Sequence, residues 1–197
     1  MQVRGPTLTL RYATEADADA LFDLADADAT RWFSWGPYSD RSQPLDYIRG
    51  LEAKREAGEL LDFLAVHREH GPVGVTGLSE YVRRDRRATV GTWFGRAHWG
   101  TGVNAESKAL VARMAFEHLG LNRLTAWANT RNGRSQTALE RIGFRREGVL
   151  RAYNVHASGV HDVVAFGLLA TDFSATSLAG FDAQVEGEAP AVWYPPL

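Results

Sequence analysis

The spacing of apolar residues along the chain predicts eleven secondary-structure elements. Alternation of apolar and polar positions is typical of a strand with one buried face, and apolar positions every three to four residues indicate a helix. The predicted strands span residues 8–12, 60–67, 73–81, 88–94, 121–128, 144–156 and 160–169. The predicted helices span about residues 14–28, 45–57 and 104–119, and a shorter helix begins at Asn132.

The order of these elements predicts an α/β domain, α+β in some classifications, built on a mixed sheet. A turn at residues 157–159 is expected between the last two strands. Residues from about 171 onward show no clear periodicity, which predicts an irregular tail. A length of 197 residues suits one compact domain with such a tail, because two separate domains would each be small.

Charge is distributed unevenly along the chain. The net charge is −2, but residues 83–151 carry 14 basic and 5 acidic side chains, a net charge of +9. This basic segment could bind a polyanionic small molecule or nucleic acid, or could be solvated surface. The acidic balance of the whole chain argues against a nucleic-acid partner, since a basic domain is the usual footprint of such proteins.

Composition excludes several kinds of site. The chain has no cysteine, which excludes disulfides, thiolate metal ligands and cysteine nucleophiles. Its six histidines show no paired zinc-ligand spacing, and His67 with His70 is interpreted as surface polarity at a strand end, so no metal is expected. No apolar run reaches the length of a signal peptide or a membrane span. We therefore expect a cytoplasmic protein without a membrane partner.

Residues 98–110, HWGTGVNAESKAL, place two glycines directly before a predicted helix. A Rossmann fingerprint would require an acidic residue about 20 positions later, and none is present there. A Walker loop would require Gly-Lys followed by Ser or Thr, and this segment has Gly-Thr-Gly instead. The glycines could merely turn the chain from strand to helix. They also permit close approach of a ligand to backbone amides at a helix N-terminus, which is a site for phosphate.

The segment 91–150, together with residues 8–24 and the chain up to about residue 173, resembles the GNAT acyl-CoA N-acetyltransferases, in particular the RimJ/RimL-like branch. The likeness depends on two signatures at the right separation, WGTGVN at residues 99–104 and NGRSQTALERIGF at residues 132–144. It implies a GNAT domain over residues 1–173 and a tail over residues 174–197. The implied sheet is mixed and mostly antiparallel, is flanked by helices, and has its pyrophosphate loop at the N-terminus of the third long helix.

The resemblance implies acetyl-CoA as co-substrate and assigns the loop to its diphosphate. The family pattern is Gln/Arg-x-x-Gly-x-Gly/Ala; this chain keeps the central Gly102, whereas Trp99 and Asn104 depart from the pattern. Asn104 could also cap the helix. The residues expected to contact the coenzyme at this loop are Trp99, Gly100, Thr101, Gly102, Val103, Asn104 and Ala105.

The second signature implies two further contacts. Asn132 would bind the pantetheine arm, and Ser135 would lie beside the thioester sulfur or the phosphates. Helix capping by Asn132 is the competing interpretation. Backbone N–H groups of Trp93, Phe94 and Gly95 would stabilise the developing oxyanion, where the family's sheet splays to admit the pantetheine.

Residues for proton transfer and for the acceptor are also expected. Glu80 is the preferred general base, with solvated charge as its alternative, and Ser135 or Tyr153 could return a proton to the thiolate. Tyr153 could equally be a core aromatic residue. The loop aromatic residues are expected to form an acceptor-pocket wall or to pack between the first two helices. They are Trp32, Phe33, Trp35 and Tyr38.

Two other clusters have open interpretations. The arginine-rich turn at residues 83–87 could be solvated, could contact an acidic acceptor, or could bind the 3′-phosphate of CoA. The aromatic segment at residues 193–196 could dock the tail on its own domain or across a homodimer.

The leading hypothesis on function is an N-acetyltransferase that moves an acetyl group from acetyl-CoA to a primary amine of a protein N-terminus or a small molecule. The amine would attack directly in a ternary complex. A non-catalytic acyl-CoA-binding sensor or scaffold of the same shape is the main alternative, and nucleic-acid binding through the arginines is a third.

Overall fold

A computed structural model describes residues 1–156 and 158–195 of the chain. Ala157, in the predicted turn, and the last two residues of the predicted tail lie outside the described residues. Strands in the described ranges are β1 (Gln2–Arg4), β2 (Leu8–Arg11), β3 (Leu60–His67), β4 (Gly71–Val82), β5 (Arg87–Phe94), β6 (Arg123–Asn129), β7 (Arg145–His156), β8 (Gly159–Leu169) and β9 (Gln184–Glu186). The α-helices there are α1 (Ala18–Leu24), α2 (Ala27–Thr30), α3 (Ser42–Glu56), α4 (Val103–Arg113), α5 (Gly133–Arg141) and α6 (Ala170–Phe173).

The strands form one sheet in the order β7-β8-β6-β5-β4-β3-β2-β1-β9. Strands β5 and β6 run parallel, and the other neighbours pair antiparallel. Helices flank both faces. The prediction of a mixed, mostly antiparallel sheet flanked by helices is therefore confirmed.

The parallel pair is short. In the described part of the chain, β5 and β6 pair over three positions, Arg87 with Arg123, Ala88 with Leu124 and Thr89 with Thr125. Beyond these positions β5 continues along β4 to its end, whereas β6 continues along β8. The two strands therefore diverge toward their C-terminal ends, and we call the space between them the β5–β6 gap.

Two apolar cores lie on opposite faces of the sheet. The larger core includes Val90 and Phe94 of β5, and α4 and α5 contribute Leu110 and Leu139 to it. The smaller core includes Trp93 of β5, together with side chains of α1 and α3. Because alternate strand residues face opposite sides, β5 contributes to both cores.

The first predicted helix is divided in the structure. A short 3-10 turn at Glu15–Asp17 leads into α1, and α2 begins separately at Ala27. The Asp26 side chain accepts a hydrogen bond from the Ala29 amide at 2.7 Å, which caps α2 and explains the break. The helix predicted at 104–119 is α4 followed by a π-helical turn at Met114–His118. Every helix in the described ranges is too short or too polar to cross a bilayer.

The C-terminal segment is more regular than the sequence predicts. Residues 184–186 form β9, which pairs with β1 at the sheet edge. Trp193 is fully buried, its Nε1 donates to the Arg55 carbonyl at 2.8 Å, and its ring stacks on Tyr81 with centroids 5.1 Å apart. The segment therefore docks on its own domain, and these contacts, which join residues far apart in the sequence, leave no periodic signal.

Candidate active site

The β5–β6 gap brings the two sequence signatures to one end of the sheet. The loop that follows β5 leads into α4, and the loop that follows β6 leads into α5. Because the strands are parallel, both loops lie at the C-terminal ends of the two strands. Ligand sites in such sheets usually lie at this end. The N-termini of α4 and α5 therefore border the gap together.

The glycine loop has the conformation that an anion site needs. Gly100 and Gly102 have φ angles of +77° and +96°, which L-residues rarely adopt. A Cβ atom added to either would meet no atom within 4 Å, so open space lies above both. Gly102 occupies the N-cap position of α4, and no side chain in the described ranges caps the helix. The first amides of α4 are thus left for a ligand.

Trp99 and Asn104 have structural partners that their positions in the loop did not predict. The Trp99 indole donates from Nε1 to the Phe94 carbonyl at 2.9 Å, and the Arg134 guanidinium lies 3.4 Å from the centre of its ring. The expectation that Asn104 caps α4 is wrong. Because α4 begins at Val103, Asn104 lies inside the first turn, and its Oδ1 accepts a hydrogen bond from Lys108.

The second signature begins α5 as the capping interpretation requires. Asn132 is the N-cap, and its Oδ1 accepts from the Ser135 amide at 3.2 Å. This bond leaves the Nδ2 group of Asn132 for another partner. Asn129, the last residue of β6, is 7% exposed, and its Nδ2 has no acceptor in the described part of the chain. A buried amide without an acceptor beside the gap fits a ligand with carbonyl groups.

A cavity of about 230 Å³ separates the loop before α4 from the start of α5. Three guanidinium groups and two indoles on its wall suit an anionic ligand with an extended arm. Its lining residues are Asp28, Arg31, Trp32, Trp99, Arg131, Asn132, Gly133 and Arg134. A second cavity, of about 490 Å³, borders the loop at Thr101, Gly102 and Val103.

Glu80 lies at a bulge in β4 with a φ angle of +50°. Its Oε2 accepts hydrogen bonds from Thr89 Oγ1 at 2.6 Å and from Trp127 Nε1 at 3.1 Å. Tyr153, on a bulged part of β7, packs on the Trp127 ring with centroids 5.1 Å apart. Burial, followed by the charge of Glu80, raises the pKa of Tyr153. Glu80, Trp127 and Tyr153 therefore form one cluster, which we call the carboxylate cluster.

Ser135 lies apart from this cluster in the hydrogen-bond network. It is half-buried on the first turn of α5, and no hydrogen bond in the described ranges links it to Glu80 or Tyr153. The structure thus brings two of the three predicted proton-transfer residues together.

The loop aromatic residues divide into two groups. Phe33, Trp35 and Tyr38 stack in sequence with centroids 5.4 and 5.5 Å apart, and Trp35 meets Trp93 edge-on at 5.4 Å. This group belongs to the smaller core, as the packing interpretation requires. Trp32 instead lines the cavity beside Asn132.

Some expected contacts are not available. The Gly95 amide donates to the Val73 carbonyl at 3.0 Å, so that group is committed to the sheet and is not free for an oxyanion. The arginine-rich turn lies at the N-terminal end of β5, a strand's length from the glycine loop. Arg83 in that turn donates to the Tyr194 carbonyl and so holds the tail. His67 and His70 stack at 4.6 Å, and among the described residues no cluster suited to a metal is found.

Three residues with polar contacts were not predicted from the sequence. Asp62 lies within an apolar strand, accepts a hydrogen bond from Tyr47 at 2.7 Å, and has its pKa raised to about 6 by burial. Lys108 is 7% exposed within α4, where burial lowers its pKa to about 7. Trp127 supplies the indole of the carboxylate cluster. A charge inside an apolar run was the available signal for Asp62 and Lys108, whereas Trp127 showed none.

Comparison with known proteins agrees with this geometry. Residues 7–145 match the acetyltransferase (GNAT) domain family. The chain is 31% identical over 169 residues to the uncharacterized N-acetyltransferase p20 of Bacillus licheniformis, which covers 85% of this chain and 95% of p20. It is 28% identical over 167 residues to YdaF of Bacillus subtilis, provisionally named a ribosomal N-acetyltransferase, with 82% and 91% covered.

A solved structure extends the comparison to the fold. The microcin C7 self-immunity acetyltransferase MccE, solved with acetyl-CoA and AMP, superposes with a TM-score of 0.77 at 17% identity, covering 83% of this chain and 93% of MccE. The family match spans well over half of the chain and includes both the glycine loop and the start of α5. The chain therefore belongs to the GNAT family of acetyltransferases.

Proposed function

We propose that this enzyme transfers the acetyl group of acetyl-CoA to a primary amine by direct attack in a ternary complex. The observation that carries the proposal is that two sets of N–H donors that are available to a ligand border the β5–β6 gap. One is the N-terminus of α4 behind Gly100 and Gly102, and the other is the buried Nδ2 of Asn129; neither has a side-chain partner among the residues that the structure describes. The first suits a diphosphate and the second suits the carbonyls of a pantetheine arm.

Acetyl-CoA supplies an activated acyl group as a thioester. The backbone amides at residues 100–105 would hold its diphosphate, and Arg131 and Arg134 lie on the wall of the adjoining cavity. Asn132 can use its free Nδ2 for the pantetheine arm while its Oδ1 caps α5. Because hydrogen-bonded pairs alternate along β4 and β5, the Trp93 amide is committed to β4 like that of Gly95, and the Phe94 amide remains the proposed oxyanion donor.

The carboxylate cluster would manage the protons. The amine nitrogen attacks the thioester carbon, a C–N bond forms, the C–S bond breaks, and the thiolate receives a proton. Glu80 would accept the proton lost by the amine, directly or through water. Tyr153 is the proposed donor to the thiolate, because it packs on Trp127 beside Glu80 and a tyrosine hydroxyl is protonated at neutral pH.

The acceptor proposed is a protein N-terminal amine, as in the RimJ/RimL-like branch, with small-molecule amines as the alternative class. An α-amino group with a pKa near 7.7 to 8.0 needs about 1 kcal/mol to lose its proton at pH 7, whereas a lysine amine needs about 4.6 kcal/mol. A single carboxylate base therefore suffices to deprotonate a protein N-terminal amine. The name of the relative YdaF supports the same choice.

The test is an acceptor screen with acetyl-CoA. Peptides with a free α-amine, N-terminally blocked lysine peptides and polyamines are compared by thiol release and by mass spectrometry of the acetylated product. We expect acceptor-dependent thiol release, highest with free α-amines. Tight CoA binding without thiol release for any acceptor would instead support the sensor or scaffold function.

A further inference from the structure

Helix α4 buries a basic side chain that has no anionic partner among the described residues. The Lys108 Nζ donates to Thr92 Oγ1 at 2.8 Å and to Asn104 Oδ1 at 3.1 Å. Within the described residues no carboxylate forms an ion pair with it, and burial alone accounts for its lowered pKa. Burying an unpaired ammonium costs much free energy, and an apolar side chain would fill the same space without that cost.

The choice of lysine at this position is itself unusual for this chain. The sequence has twenty arginines but two lysines, Lys54 and Lys108, and Lys54 is exposed. Arginine stays charged at all physiological pH values, whereas a buried lysine can lose its proton and regain it. The buried position in α4 therefore carries a lysine, which can be neutral when buried, and not one of the twenty arginines, which cannot.

The Lys108 side chain reaches back to the first turn of α4 and across to β5. Asn104, which accepts its hydrogen bond, is the second residue of α4 and lies one turn nearer the N-terminus. The Nζ group is thus held against the first turn, whose amides no side chain caps. A neutral amine has two N–H donors, and both have acceptors here, so the third donor of an ammonium has no partner in the described residues.

We propose that Lys108 is the counter-charge for the diphosphate of acetyl-CoA, an inference that rests on the proposed function. In the free enzyme a large share of Lys108 is the neutral amine at neutral pH. When the diphosphate binds at the first turn, its negative charge favours the ammonium, and the enzyme takes up a proton from solvent. The electrostatic attraction gained in this buried setting then strengthens CoA binding.

The groups that face Lys108 from the surrounding elements neither neutralise it nor provide a second positive charge. The carboxylate of Glu106, on the same helix, accepts hydrogen bonds from the amides of Thr7 and Leu8 at 2.7 Å. Strands β4 and β5 present the hydroxyls of Thr76 and Thr92, which hydrogen-bond each other at 3.0 Å. Strands β1 and β2 and the turn Ser177–Gly180 contribute apolar core residues. Three histidines, His67, His70 and His98, line the neighbouring 490 Å³ cavity, so the test must separate their titration from that of Lys108.

The first test compares Lys108→Met with the matched control Lys54→Met. Affinities are measured for CoA, for dephospho-CoA, which lacks only the 3′-phosphate, and for pantetheine, which has no phosphate. We expect Lys108→Met to weaken CoA and dephospho-CoA binding about tenfold and to leave pantetheine unchanged. Equal losses for all three ligands, or no loss for CoA, would overturn the proposal. A loss for CoA but not for dephospho-CoA would assign Lys108 to the 3′-phosphate and would also overturn it.

Thermal unfolding separates this function from a structural one. Lys108 is a buried amine without an ion-pair partner among the described residues, so Lys108→Met should unfold at or above the unfolding temperature of the wild type. A structural role of Lys108 predicts a lower unfolding temperature for the variant. A variant that binds CoA less tightly yet unfolds no earlier supports the proposal. A variant with reduced stability and unchanged CoA affinity contradicts it.

The wild-type enzyme provides a test without any substitution. Because the chain has two lysines, selective 13C labelling of lysine Cε gives two NMR signals, and Lys54 serves as the internal reference. We expect the Lys108 signal to titrate near neutral pH in the free enzyme and at higher pH with saturating CoA. An unchanged midpoint would refute the counter-charge. Failure of the wild type to bind CoA at all would instead refute the proposed function.

Discussion

The Glu80 carboxylate accepts a hydrogen bond from the Trp127 indole, with 3.1 Å between Oε2 and Nε1. Glu80 adopts a left-handed backbone conformation at the bulge where β4 and β5 lose register. Such strain costs free energy and persists where the surrounding structure enforces it, often at functional sites. The bulge therefore places this carboxylate within hydrogen-bond distance of Thr89 on β5 and Trp127 on β6.

Replacing Glu80 by Gln should lower kcat about 100-fold or more at neutral pH, because it removes the proposed base and keeps the side-chain shape. Steady-state kinetics with the best acceptor from the screen measures the change. CoA affinity should stay within twofold, and Glu52→Gln on the exposed face of α3 is the matched control. Full turnover by the Glu80 variant would remove this residue from the mechanism.

Replacing Gly102 by Val should abolish measurable CoA binding. Valine cannot adopt a φ angle of +96° without strain, and its side chain would occupy the open space where the diphosphate is proposed to lie. Calorimetric titration with CoA measures the loss. Gly50→Ala, within α3 and with nothing near the added Cβ, should bind CoA normally. Retained CoA affinity in the Gly102 variant would place the diphosphate elsewhere.

The two proposed roles of Asn132 can be separated. Asn132→Ser should keep the cap of α5 through its hydroxyl but lose the amide donor, so the KM for acetyl-CoA rises while the free energy of unfolding is maintained. Asn132→Ala should lose both, including about 1 kcal/mol of stability. Chemical denaturation and kinetics on both variants make the comparison. Identical KM values for Ser and wild type would restrict Asn132 to capping.

Trp193 should be a main source of stability in the C-terminal segment. Trp193→Ala removes a fully buried indole and its hydrogen bond to Arg55, so we expect a loss of about 3–5 kcal/mol in the free energy of unfolding. Trp193→Phe keeps the stack on Tyr81 and should lose less. Urea denaturation distinguishes the two. A loss below about 1 kcal/mol for the alanine variant would mean that the segment is not held by this side chain.

Asp62 should make stability fall as pH rises from about 4 to 6. Burial raises its folded-state pKa to about 6, so the unfolded chain loses this proton first and gains stability relative to the folded state. A shift of about two units corresponds to about 3 kcal/mol at most. Asp62→Asn should flatten this part of the pH profile of the free energy of unfolding. The same slope in both proteins would show that other groups cause it.

The sequence predicts the fold well because strand alternation and helix periodicity are local signals. The seven predicted strands correspond to β2–β8, and the divergence of β5 and β6 follows from pairings that no local pattern encodes. Strands β1 and β9 escaped prediction because each is three residues long. Their stability comes from pairing with each other and, for β1, with β2.

The geometry of the candidate site was predictable where it depends on local backbone conformation and not where it depends on long-range contacts. The glycine loop and Asn132 carry their conformation in the local sequence, and both lie beside the gap. The clustering of Glu80 with Trp127 depends on a bulge and on a strand 47 positions away, so no spacing rule could find it. Lys108 interrupts an apolar stripe, and only its burial shows that the interruption is inside the protein.

The brevity of the parallel pair has a consequence for amide protection. On the diverging ends of β5 and β6, alternate N–H groups face away from the antiparallel partners and toward the gap. Such amides exchange with deuterium quickly when the gap is filled with solvent and slowly when a ligand arm accepts their hydrogen bonds. Deuterium exchange at the amides of β5 and β6 that face the β5–β6 gap should therefore show whether a ligand fills the gap, and it can be read separately for each strand.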